Sequence, residues 1–316
     1  MSAVETPVLR LSNSEMKLWR SDPRHWYLAY YRELAPRAPD IRGSAHAIGN
    51  FVHDALAAYY DQENSQDPVA FANRVYETNV AAYPMEEPEI RKEFDLVHPM
   101  LQGYMEWLEE TGADSDLRFM GSERTVEVQL VPGIHLLSKL DAPVERVSDG
   151  AKLAIEHKTT GSLDTPLAGA KLDTQFLTEH LARFLDDQAK GATAEEAYDQ
   201  CQGILLNQLK KVKRMSKAKA PFYNRMDVPH NIHELRNHWK HVVATGRQIL
   251  AARARLDAGE SHHVVCPPNP TRESGWNNPF FKVYVMADDG SDFEGVLAEL
   301  YRVRDPLERY EDAVAL

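Results

Sequence analysis

The spacing of apolar residues indicates that the first third of the chain is largely helical. Apolar positions recur there every three or four residues, as from Val52 through Leu56 to Tyr59, and this is the period of an amphipathic helix. Ser12 and Glu15 have the spacing of a capping box before a first amphipathic helix, and the aromatic-rich stretch from Trp19 to Tyr31 continues it as a second helix after Pro23. Further helices are expected over about residues 44–60, 68–82 and 88–111.

The pattern changes near residue 125, where apolar and polar side chains begin to alternate and β-branched residues become common. Such alternation is typical of strands, and three strands are expected over residues 125–130, 134–147 and 153–155. Pro132-Gly133 and Ser148-Asp149-Gly150 supply the turns between them. We therefore expect a three-stranded meander.

A helix and a further strand follow the meander. Residues 173–190 have helical spacing and end at Gly191, a short helix is expected near Ala194, and residues 203–207 form an apolar strand. A helix that connects two strands of one sheet is the crossover of α/β proteins, so the expected fold class is α/β. A long helix over residues 231–256, a proline-rich loop and a last helical pair complete the chain.

The composition, 43% hydrophobic and 27% charged over 316 residues, is that of an ordinary globular protein. We expect one compact unit with three parts: a helical N-terminal region (1–120), a core (121–215), and a C-terminal helix and tail folded back on the core (216–316). The sequence shows no run of eighteen apolar residues and no signal-peptide pattern. A cytoplasmic protein without membrane contact is therefore the default expectation.

The cysteine content and the charge each exclude a class of function. Cys201 and Cys266 are the two cysteines, so a disulfide framework and a cysteine-only metal cluster are excluded, and each is interpreted as a buried or incidental thiol. The net charge of -12 argues against indiscriminate polyanion binding, because phosphate contacts supply most non-specific affinity for nucleic acid.

A basic segment nevertheless lies within this acidic chain. No acidic residue occurs between Ile204 and Arg225. The basic residues of that window are Lys210, Lys211, Lys213, Arg214, Lys217, Lys219 and Arg225. Binding of a nucleic-acid backbone and a merely solvated positive face are both consistent with the segment.

Three residues on the predicted strands have the chemistry of phosphodiester hydrolysis. Glu156 and Lys158 are two residues apart, so strand alternation places them on one face, whereas His157 points the other way. Asp141 lies in the second predicted strand, and antiparallel pairing can bring it beside Glu156. Two carboxylates on one face are costly unless a hard cation such as Mg²⁺ or Mn²⁺ lies between them, and a neighbouring lysine offsets part of the repulsion.

This set of residues suits metal-assisted hydrolysis. A bound cation polarises a phosphoryl group and lowers the pKa of its bound water, and Lys158 can orient that water or stabilise developing negative charge. The alternative is that Asp141 and the Glu-x-Lys pair are ordinary strand-end residues. The context favours the chemical interpretation, since D-x14-E-x-K spans two expected strands and Thr159-Thr160-Gly161 follows directly.

The residues around this set resemble the core of a known nuclease family. Ser138–Asp141, followed by Ala154–Gly161, is similar to the "G-x-hydrophobic-D … hydrophobic-D/E-x-K-T" core of the RecB-like branch of PD-(D/E)XK nucleases, with Ser138 or Lys139 in the place of glycine. The branch includes RecB and AddB nuclease domains, CRISPR-adaptation nucleases and many bacteriophage exonucleases. The resemblance implies a restriction-endonuclease-like α/β core, with a mixed central sheet flanked by helices and helical N-terminal and C-terminal extensions.

Three further segments resemble motifs of the same branch. Leu11–Tyr27 is similar to its "S-x-S … C-P-R-x-W/F" segment, Gly49–His53 to its "G-x-x-x-H" helix, and Gly203–Asn207 with Lys210 to a strand that is frequent in phage members. The histidine of the second motif ligates metal in that branch, which implies the same role for His53. A lone histidine beside an apolar stripe is otherwise most often a core residue, and the Asp-Glu-Lys set reverses that preference.

The resemblance also implies roles for particular residues. The implied ligands of Mg²⁺ or Mn²⁺ are His53, Asp141, Glu156 and the backbone carbonyl of His157. Lys158 and Gln175 join Asp141 and Glu156 as catalytic residues, although Glu179 stands where the Q-x-x-x-Y motif that begins at Gln175 has its tyrosine. The residues suggested to hold DNA are Arg24, Trp26, Tyr30, Lys210, Lys211, Lys213 and Arg214. Core packing accounts for Trp26 and Tyr30 at least as well.

Many members of the branch carry an iron–sulfur cluster on one N-terminal and three C-terminal cysteines. Asp22 stands where the first of these would be, and the tail from Cys266 to Tyr284 resembles the C-terminal pattern with its cysteines replaced. No iron–sulfur cluster is therefore expected. Packing by Trp276, Phe280 and Phe281 is expected to hold the tail instead.

The sequence thus predicts a metal-dependent deoxyribonuclease. The resemblance favours exonuclease action on single-stranded DNA or DNA ends, in phage-type recombination, replication or degradation, with a phage or host protein of those processes as partner and the host cytoplasm as location. The nearest alternative is a structure-specific or single-strand endonuclease. From other classes, a catalytically silent DNA-binding or interaction module on the same fold, and an acidic mimic of DNA supported only by the charge of -12, remain open.

Overall fold

The computed structural model describes residues 8–37, 45–213, 219–271 and 278–310. The chain forms two compact units, one from residues within 1–39, 127–138 and 236–316, and the other from residues within 40–126 and 139–235. The division into three parts with boundaries at residues 120 and 215 stays a prediction.

The described residues form both helices and mixed sheets, which confirms the expected α/β class. The helices are α1 (Asn13–Ser21), α2 (Pro23–Trp26), α3 (Ala45–Tyr60), α4 (Pro68–Ala82), α5 (Glu87–Thr111), α6 (Leu167–Lys171), α7 (Thr174–Ala189), α8 (Ala194–Asp199), α9 (Ile232–Asp257), α10 (His262–Val265), α11 (Tyr284–Asp288) and α12 (Phe293–Leu300). The strands are β1 (Leu9–Ser12), β2 (Leu34–Pro36), β3 (Leu117–Phe119), β4 (Arg124–Val131), β5 (Ile134–Leu140), β6 (Pro143–Arg146), β7 (Lys152–Thr160), β8 (Gly203–Lys210), β9 (Tyr223–Pro229) and β10 (Tyr301–Val303).

The largest sheet belongs to the second unit and has the strand order β3-β6-β7-β8-β9. β7 and β8 are parallel, whereas the other neighbours are antiparallel. α6, α7 and α8 lie between β7 and β8 in the sequence, and parallel neighbours require such a crossover. β8 is buried along almost its whole length, as is usual for a strand covered on both faces. The mixed sheet flanked by helices is therefore present as expected.

The predicted meander is wrong at one position. Residues 134–147 do not form one strand, because β5 ends at Leu140, β6 begins at Pro143, and the two strands lie in different sheets. Proline suits the first residue of a strand because it has no N–H to give to the ladder. Asp141 therefore lies in the connection between two strands and not inside a strand.

One strand of the largest sheet was not predicted. β9 lies in the region expected to be a basic loop, and it pairs with β8 over seven residues. Its burial does not alternate cleanly: Tyr223 and Val228 are buried, and the residues between them are half-buried. The alternation that would predict a strand is consequently weak, and the segment is a strand because it pairs with β8.

Capping residues explain where two important helices begin. The Ser12 side chain accepts the backbone N–H of Glu15 at 3.2 Å, which caps α1 as its spacing predicted. The Asp173 side chain accepts the backbone N–H of Gln175 at 2.9 Å and caps α7. After α7, Gly191 has a φ of 103°, a backbone conformation that favours glycine.

A helical layer of the second unit holds α3 against the sheet. Val52 and Leu56 of α3 are buried in one apolar cluster with Leu101 and Tyr104 of α5, and Leu209 of β8 belongs to the same cluster. α3 also packs on β7. Burial of these side chains supplies most of the free energy that keeps α3 in place, and α3 carries His53.

The C-terminal tail of the first unit is held by a hydrogen-bonded group. Tyr284 Oη donates to the Asp22 carboxylate at 2.8 Å, and Asn278 Nδ2 donates to Tyr284 Oη at 2.7 Å. Phe280 is buried and its ring lies 4.8 Å from that of Tyr301, whereas Phe281 is partly exposed. Trp276 lies outside the described residues. No helix within the described ranges is long and apolar enough to cross a bilayer.

We expect Leu101→Ala to destabilise the protein by about 2–5 kcal/mol, because Leu101 is fully buried and the substitution leaves a cavity. Urea unfolding followed by far-UV circular dichroism measures the change. Met85→Ala is the control, since Met85 is 91% exposed and should shift the free energy of unfolding by less than about 0.5 kcal/mol. Equal effects of the two substitutions would contradict the described core.

Candidate metal centre

Three elements of the second unit bring ligand-type side chains to one place. His53 comes from α3, Asp141 from the connection between β5 and β6, and Glu156 from β7. One ligand atom of each lies within 4.8 Å of those of the other two, and His53 Nε2 is 3.6 Å from Asp141 Oδ1. These are the three side chains that the sequence assigned to metal binding.

Strand register explains why Asp141 reaches Glu156. In the antiparallel β6–β7 pair, Pro143 lies opposite Ala154, and the N–H of Ile155 donates to the carbonyl of Ala142 at 3.0 Å. The same register, continued by two residues, places Asp141 opposite Glu156. The chain leaves the sheet at this point, so the Asp141 side chain can lie at the edge of β7 beside Glu156.

Both carboxylates are removed from water. Asp141 is 5% exposed and Glu156 is 3% exposed. Burial raises the pKa of Asp141 well above its usual range, and the charge of Glu179 raises it further. Burial also raises the pKa of Glu156, with the charge of Asp141 as the next cause. Two ionised carboxylates at this position are therefore costly without a compensating positive charge.

The donor set fits a hard divalent cation. Asp141 Oδ2 is buried and makes no hydrogen bond to any described residue, although buried carboxylate oxygens are normally satisfied. Two carboxylates and one imidazole within mutual reach are ligands that Mg²⁺ and Mn²⁺ accept. The residues present thus fit the metal that the sequence analysis expected.

A polar stripe on α7 holds the two acidic residues. Gln175, Glu179 and Arg183 are four residues apart and share one face of the helix. Gln175 Nε2 donates to Glu156 Oε1 at 2.8 Å, and Glu179 Oε1 accepts the backbone N–H of Asp141 at 2.7 Å. Arg183 Nη2 donates to the Asp141 carbonyl at 2.6 Å. Hydrogen bonds at both its N–H and its carbonyl therefore fix the Asp141 backbone.

Sequence reasoning missed the parts played by Glu179 and Arg183. It treated Glu179 only as a lost tyrosine, whereas the structure places that carboxylate against the Asp141 backbone. The available signal was the four-residue spacing that begins at Gln175, which puts three polar side chains on the buried face of an amphipathic helix.

Lys158 lies beside this group on the same face of β7 as Glu156. Its Nζ donates to Gln175 Oε1 at 3.0 Å and to Asp173 Oδ2 at 3.2 Å. The ammonium group also lies 4.6 Å from the centre of the Phe176 ring, a favourable cation–π distance. Gln175 thus connects the lysine to Glu156 and orients both side chains.

His157 faces the opposite side of β7, as alternation predicted. Its ring stacks on that of Tyr60 at 5.3 Å, and its Nδ1 lies 2.8 Å from Asn207 Nδ2. Burial lowers the pKa of His157 well below its usual value, and the charges of His53 and Arg225 add to this effect. Burial therefore favours the neutral imidazole.

A further carboxylate, that of Glu123, lies close to His53 and was not predicted. Glu123 Oε2 is 3.6 Å from His53 Nε2, and the other oxygen of Glu123 forms an ion pair with Lys139. His53, Glu123, Asp141 and His157 line a cavity of about 10 Å³. Glu123 precedes β4 in an irregular segment, where no periodic pattern marks the orientation of its side chain.

The proposed DNA-holding wall near the N-terminus is largely buried in the first unit. Trp26 is fully buried, and its Nε1–H donates to Glu15 Oε1 at 3.0 Å. Arg24 is 2% exposed and forms an ion pair with Asp288 at 2.7 Å. Both side chains are therefore engaged inside the first unit, and their contact with DNA stays a prediction. Tyr30 is half-buried, and its role stays a prediction.

The basic segment begins at the carboxyl ends of β7 and β8. Lys210 lies opposite Thr160 in the parallel register, and the backbone N–H of Lys211 donates to the Thr160 carbonyl at 2.7 Å. Lys213 is exposed and lies 3.9 Å from Asp95. Arg214 lies outside the described residues. Lys210 therefore ends β8, the strand next to the one that carries Glu156 and Lys158, and Lys211 follows it directly.

Comparison with known proteins identifies a family. A model of the PD-(D/E)XK nuclease superfamily matches residues 10–268 of the chain. No curated protein matches it. Among solved structures, the one titled "Crystal structure of SSO0001" is 14% identical, and the match covers 72% of this chain and 98% of that chain with a TM-score of 0.25. A TM-score this low supports no argument.

We expect the stability of the protein in a chelator to fall between about pH 4.5 and about pH 8. Burial raises the pKa of Glu179 from 4.5 to about 8, so the folded state holds a proton that the unfolded state releases over this interval, and stability is lost as pH rises. Glu179→Gln cannot lose that proton and keeps an oxygen for the Asp141 N–H. The substitution should therefore remove a pH-dependent loss of unfolding free energy on the order of a few kcal/mol.

Urea unfolding in EDTA from pH 5 to pH 9 measures this difference. Glu110→Gln is the control, because Glu110 is exposed at the end of α5 and should leave the pH profile unchanged. The assignment would be contradicted if, between pH 5 and pH 9, wild type lost no more unfolding free energy than Glu179→Gln.

Proposed function

The chain belongs to the PD-(D/E)XK nuclease superfamily, and from this premise we propose that it is a divalent-metal-dependent deoxyribonuclease of the RecB-like branch, acting as an exonuclease. The observation that carries the proposal is the meeting of His53, Asp141 and Glu156 within 4.8 Å. Lys158 and Gln175 are hydrogen-bonded beside them. Nucleases of this superfamily hydrolyse phosphodiester bonds with such a set.

The residues proposed to hold Mg²⁺ or Mn²⁺ are His53, Asp141, Glu156 and the backbone carbonyl of His157. Strand geometry supports the carbonyl. The backbone groups of Ile155 face β6, those of Thr160 face β8, and alternate residues of a strand face the same side. His157 therefore turns its carbonyl towards the β6 side, next to Asp141, where pairing with β6 has ended.

The proposed mechanism is hydrolysis by a water activated at this site. A divalent cation bound there would polarise a phosphoryl oxygen and lower the pKa of a bound water. Lys158 supplies a positive Nζ that can donate to that water or to a phosphoryl oxygen. Gln175 holds Lys158 and Glu156 in fixed relation, and the Glu179 and Arg183 contacts keep Asp141 from turning away.

Burial of the carboxylates argues against a catalytically silent module. Asp141 and Glu156 are both nearly inaccessible, burial raises the pKa of each carboxyl group, and the charge of Asp141 raises that of Glu156 further. A silent fold gains nothing from this cost, and apolar residues of similar volume would stabilise the same position better. A site that binds a cation explains the cost.

The RecB-like branch, exonuclease action and a phage-type role in recombination, replication or degradation rest on the sequence resemblance. Two of its segments border the site. In α3, a Cβ on Gly49 would lie 3.5 Å from Thr159 Oγ1, so the helix passes close to β7. In β8, Asn207 is hydrogen-bonded to His157. Lys210, Lys211 and Tyr30 are proposed to hold the DNA strand.

We expect the protein to degrade end-labelled linear DNA in Mg²⁺ or Mn²⁺ and to leave closed circular DNA intact. EDTA should abolish the reaction. Asp141→Asn and Lys158→Ala should each lower the rate by roughly a hundredfold or more, because each removes a group that acts on the reacting atoms. Gel analysis of single- and double-stranded substrates measures the loss.

Lys152→Ala is the matched control, since Lys152 begins the same strand and its Nζ donates to Gln200 at 3.1 Å, away from the site. It should retain the wild-type rate. Cleavage of circles would make the protein an endonuclease, and metal-dependent cleavage of neither substrate would favour the binding-module interpretation.

We expect Lys210→Ala and Lys211→Ala to weaken DNA binding without regard to sequence. Each removes one phosphate contact, so the slope of log K against log salt should become shallower by about one for each lysine. Fluorescence anisotropy with Asp141→Asn protein avoids cleavage during the measurement. Lys190→Ala, directly after α7, is the control because Lys190 is paired with Asp186. An equal effect of this control would contradict a local DNA-binding face.

A further inference from the structure

A buried polar network meets the candidate metal centre at the ring of His157. Asn207, on β8, is fully buried and donates from Nδ2 to Tyr104 Oη at 2.9 Å. Its amide also contacts His157 at 2.8 Å and Arg225 at 3.2 Å. Three strands, β7, β8 and β9, each contribute one member of this network.

Arg225 determines which way the Asn207 amide points. Its Nε lies 3.2 Å from Asn207 Oδ1, and a guanidinium can only donate hydrogen bonds. The amide atom that faces Arg225 must therefore be the oxygen, and the atom on the other side must be the NH₂ group. Arg225 is itself held by an ion pair with Asp114 at 2.6 Å and by bonds to Tyr104 and Tyr60.

The orientation of the amide in turn determines the tautomer of His157. Asn207 Nδ2 can only donate, so His157 Nδ1 must accept and carries no proton. A neutral imidazole has one N–H, and it must then be on Nε2. Nδ1 and Nε2 lie on different sides of the ring, so the N–H points away from Asn207.

The same ring lines the small cavity of the metal centre. His53, Glu123 and Asp141 supply the other polar walls of this cavity of about 10 Å³, which is about the space that one water molecule needs. The carboxylates of Glu123 and Asp141 can only accept hydrogen bonds when ionised. Of the two imidazoles that line the cavity, His157 is the one whose N–H position is set by a hydrogen bond to Asn207, so it offers such a water a fixed donor.

We propose that His157 is a positioning residue whose neutral Nε2–H, set by Arg225 through Asn207, holds a water in the cavity between Asp141 and Glu123. The water accepts from His157 and donates to the two carboxylates, and it satisfies the buried Asp141 Oδ2, which makes no hydrogen bond with a described residue. This water holds the Asp141 carboxylate in place for the cation, a role that rests on the proposed nuclease function.

Tyr60 couples this network to the helix of the metal ligand. It lies two turns after His53 on α3, its ring stacks on His157, and its hydroxyl contacts both Tyr104 and Asp114. The His53 and His157 rings meet edge to face at 6.3 Å. The network therefore fixes the spacing between the helix that carries His53 and the strand that carries Glu156.

Asn207→Asp tests the inference, since it keeps the volume and the contact with Arg225 but replaces the donor by an acceptor. At pH 8, two-dimensional ¹H–¹⁵N NMR of the imidazole nitrogens should show His157 protonated at Nε2 in wild type and at Nδ1 in Asn207→Asp. The signal is assigned by its loss in His157→Gln. Mn²⁺ affinity, measured by calorimetry, should fall roughly 10–100-fold, as for other partners of metal ligands.

Asn224→Asp is the matched control. Asn224 lies on β9 and donates to Gln208 at 3.2 Å, so it should change neither the tautomer nor the Mn²⁺ affinity. If Asn207→Asp does not fold, Arg225→Lys is the second variant. It removes the Nε donor, and it should give a mixture of the two tautomers and weaker Mn²⁺ binding.

A comparison at position 157 separates the donor from the bulk of the ring. His157→Gln keeps a neutral N–H and should bind Mn²⁺ more tightly than His157→Phe, while both keep the backbone carbonyl. Wild-type His157 protonated at Nδ1, or a reversed tautomer with unchanged Mn²⁺ affinity, would overturn the inference. A protein that binds Mn²⁺ with these dependences but cuts no DNA would overturn the proposed nuclease function and support the positioning role.

Discussion

The burial of two neighbouring carboxylates is the constraint around which the second unit is organised. Asp141 and Glu156 lie almost out of water, and burial raises the pKa of each. Charges of like sign in such a place are unfavourable by several kcal/mol unless each is balanced. The neighbouring contacts serve that balance: α7 donates to the Glu156 side chain and to the Asp141 carbonyl, and Lys158 adds a positive charge.

Rigid elements hold this arrangement before any ligand arrives. Asp141 lies where the chain leaves one sheet for another, a place with little backbone pairing of its own, and α7 supplies the missing contacts at both its N–H and its carbonyl. The helix that carries His53 is packed in an apolar cluster and stacked through Tyr60 on β7. Sites held on helices and strands reproduce ligand distances better than loops do. The proposed hydrolysis requires this kind of fixed geometry.

The acidic charge of the whole chain and a nucleic-acid substrate are compatible because charge acts locally. A net charge of -12 repels a polyanion at long range, but salt screens that repulsion beyond about 10 Å. Lys158 of β7 lies opposite Gln208 of β8, and Lys210 ends β8 two residues further on. Lysines at the carboxyl ends of these strands are therefore the proposed local contacts, and the acidic remainder of the chain would limit non-specific binding.

The sequence by itself determined the class of the fold, the superfamily and the positions of the main chemical groups, because these depend on local rules. Period-2 alternation put Glu156 and Lys158 on one face, and the helical stripe placed His53 on α3. Only the tertiary structure decided which groups meet them. Glu179 and Asn207 are buried polar residues whose partners lie far along the chain, and no periodicity encodes which side chain lies across a sheet or a helix–strand contact. The break at Asp141 arises for the same reason, since the choice of partner strand is a long-range interaction.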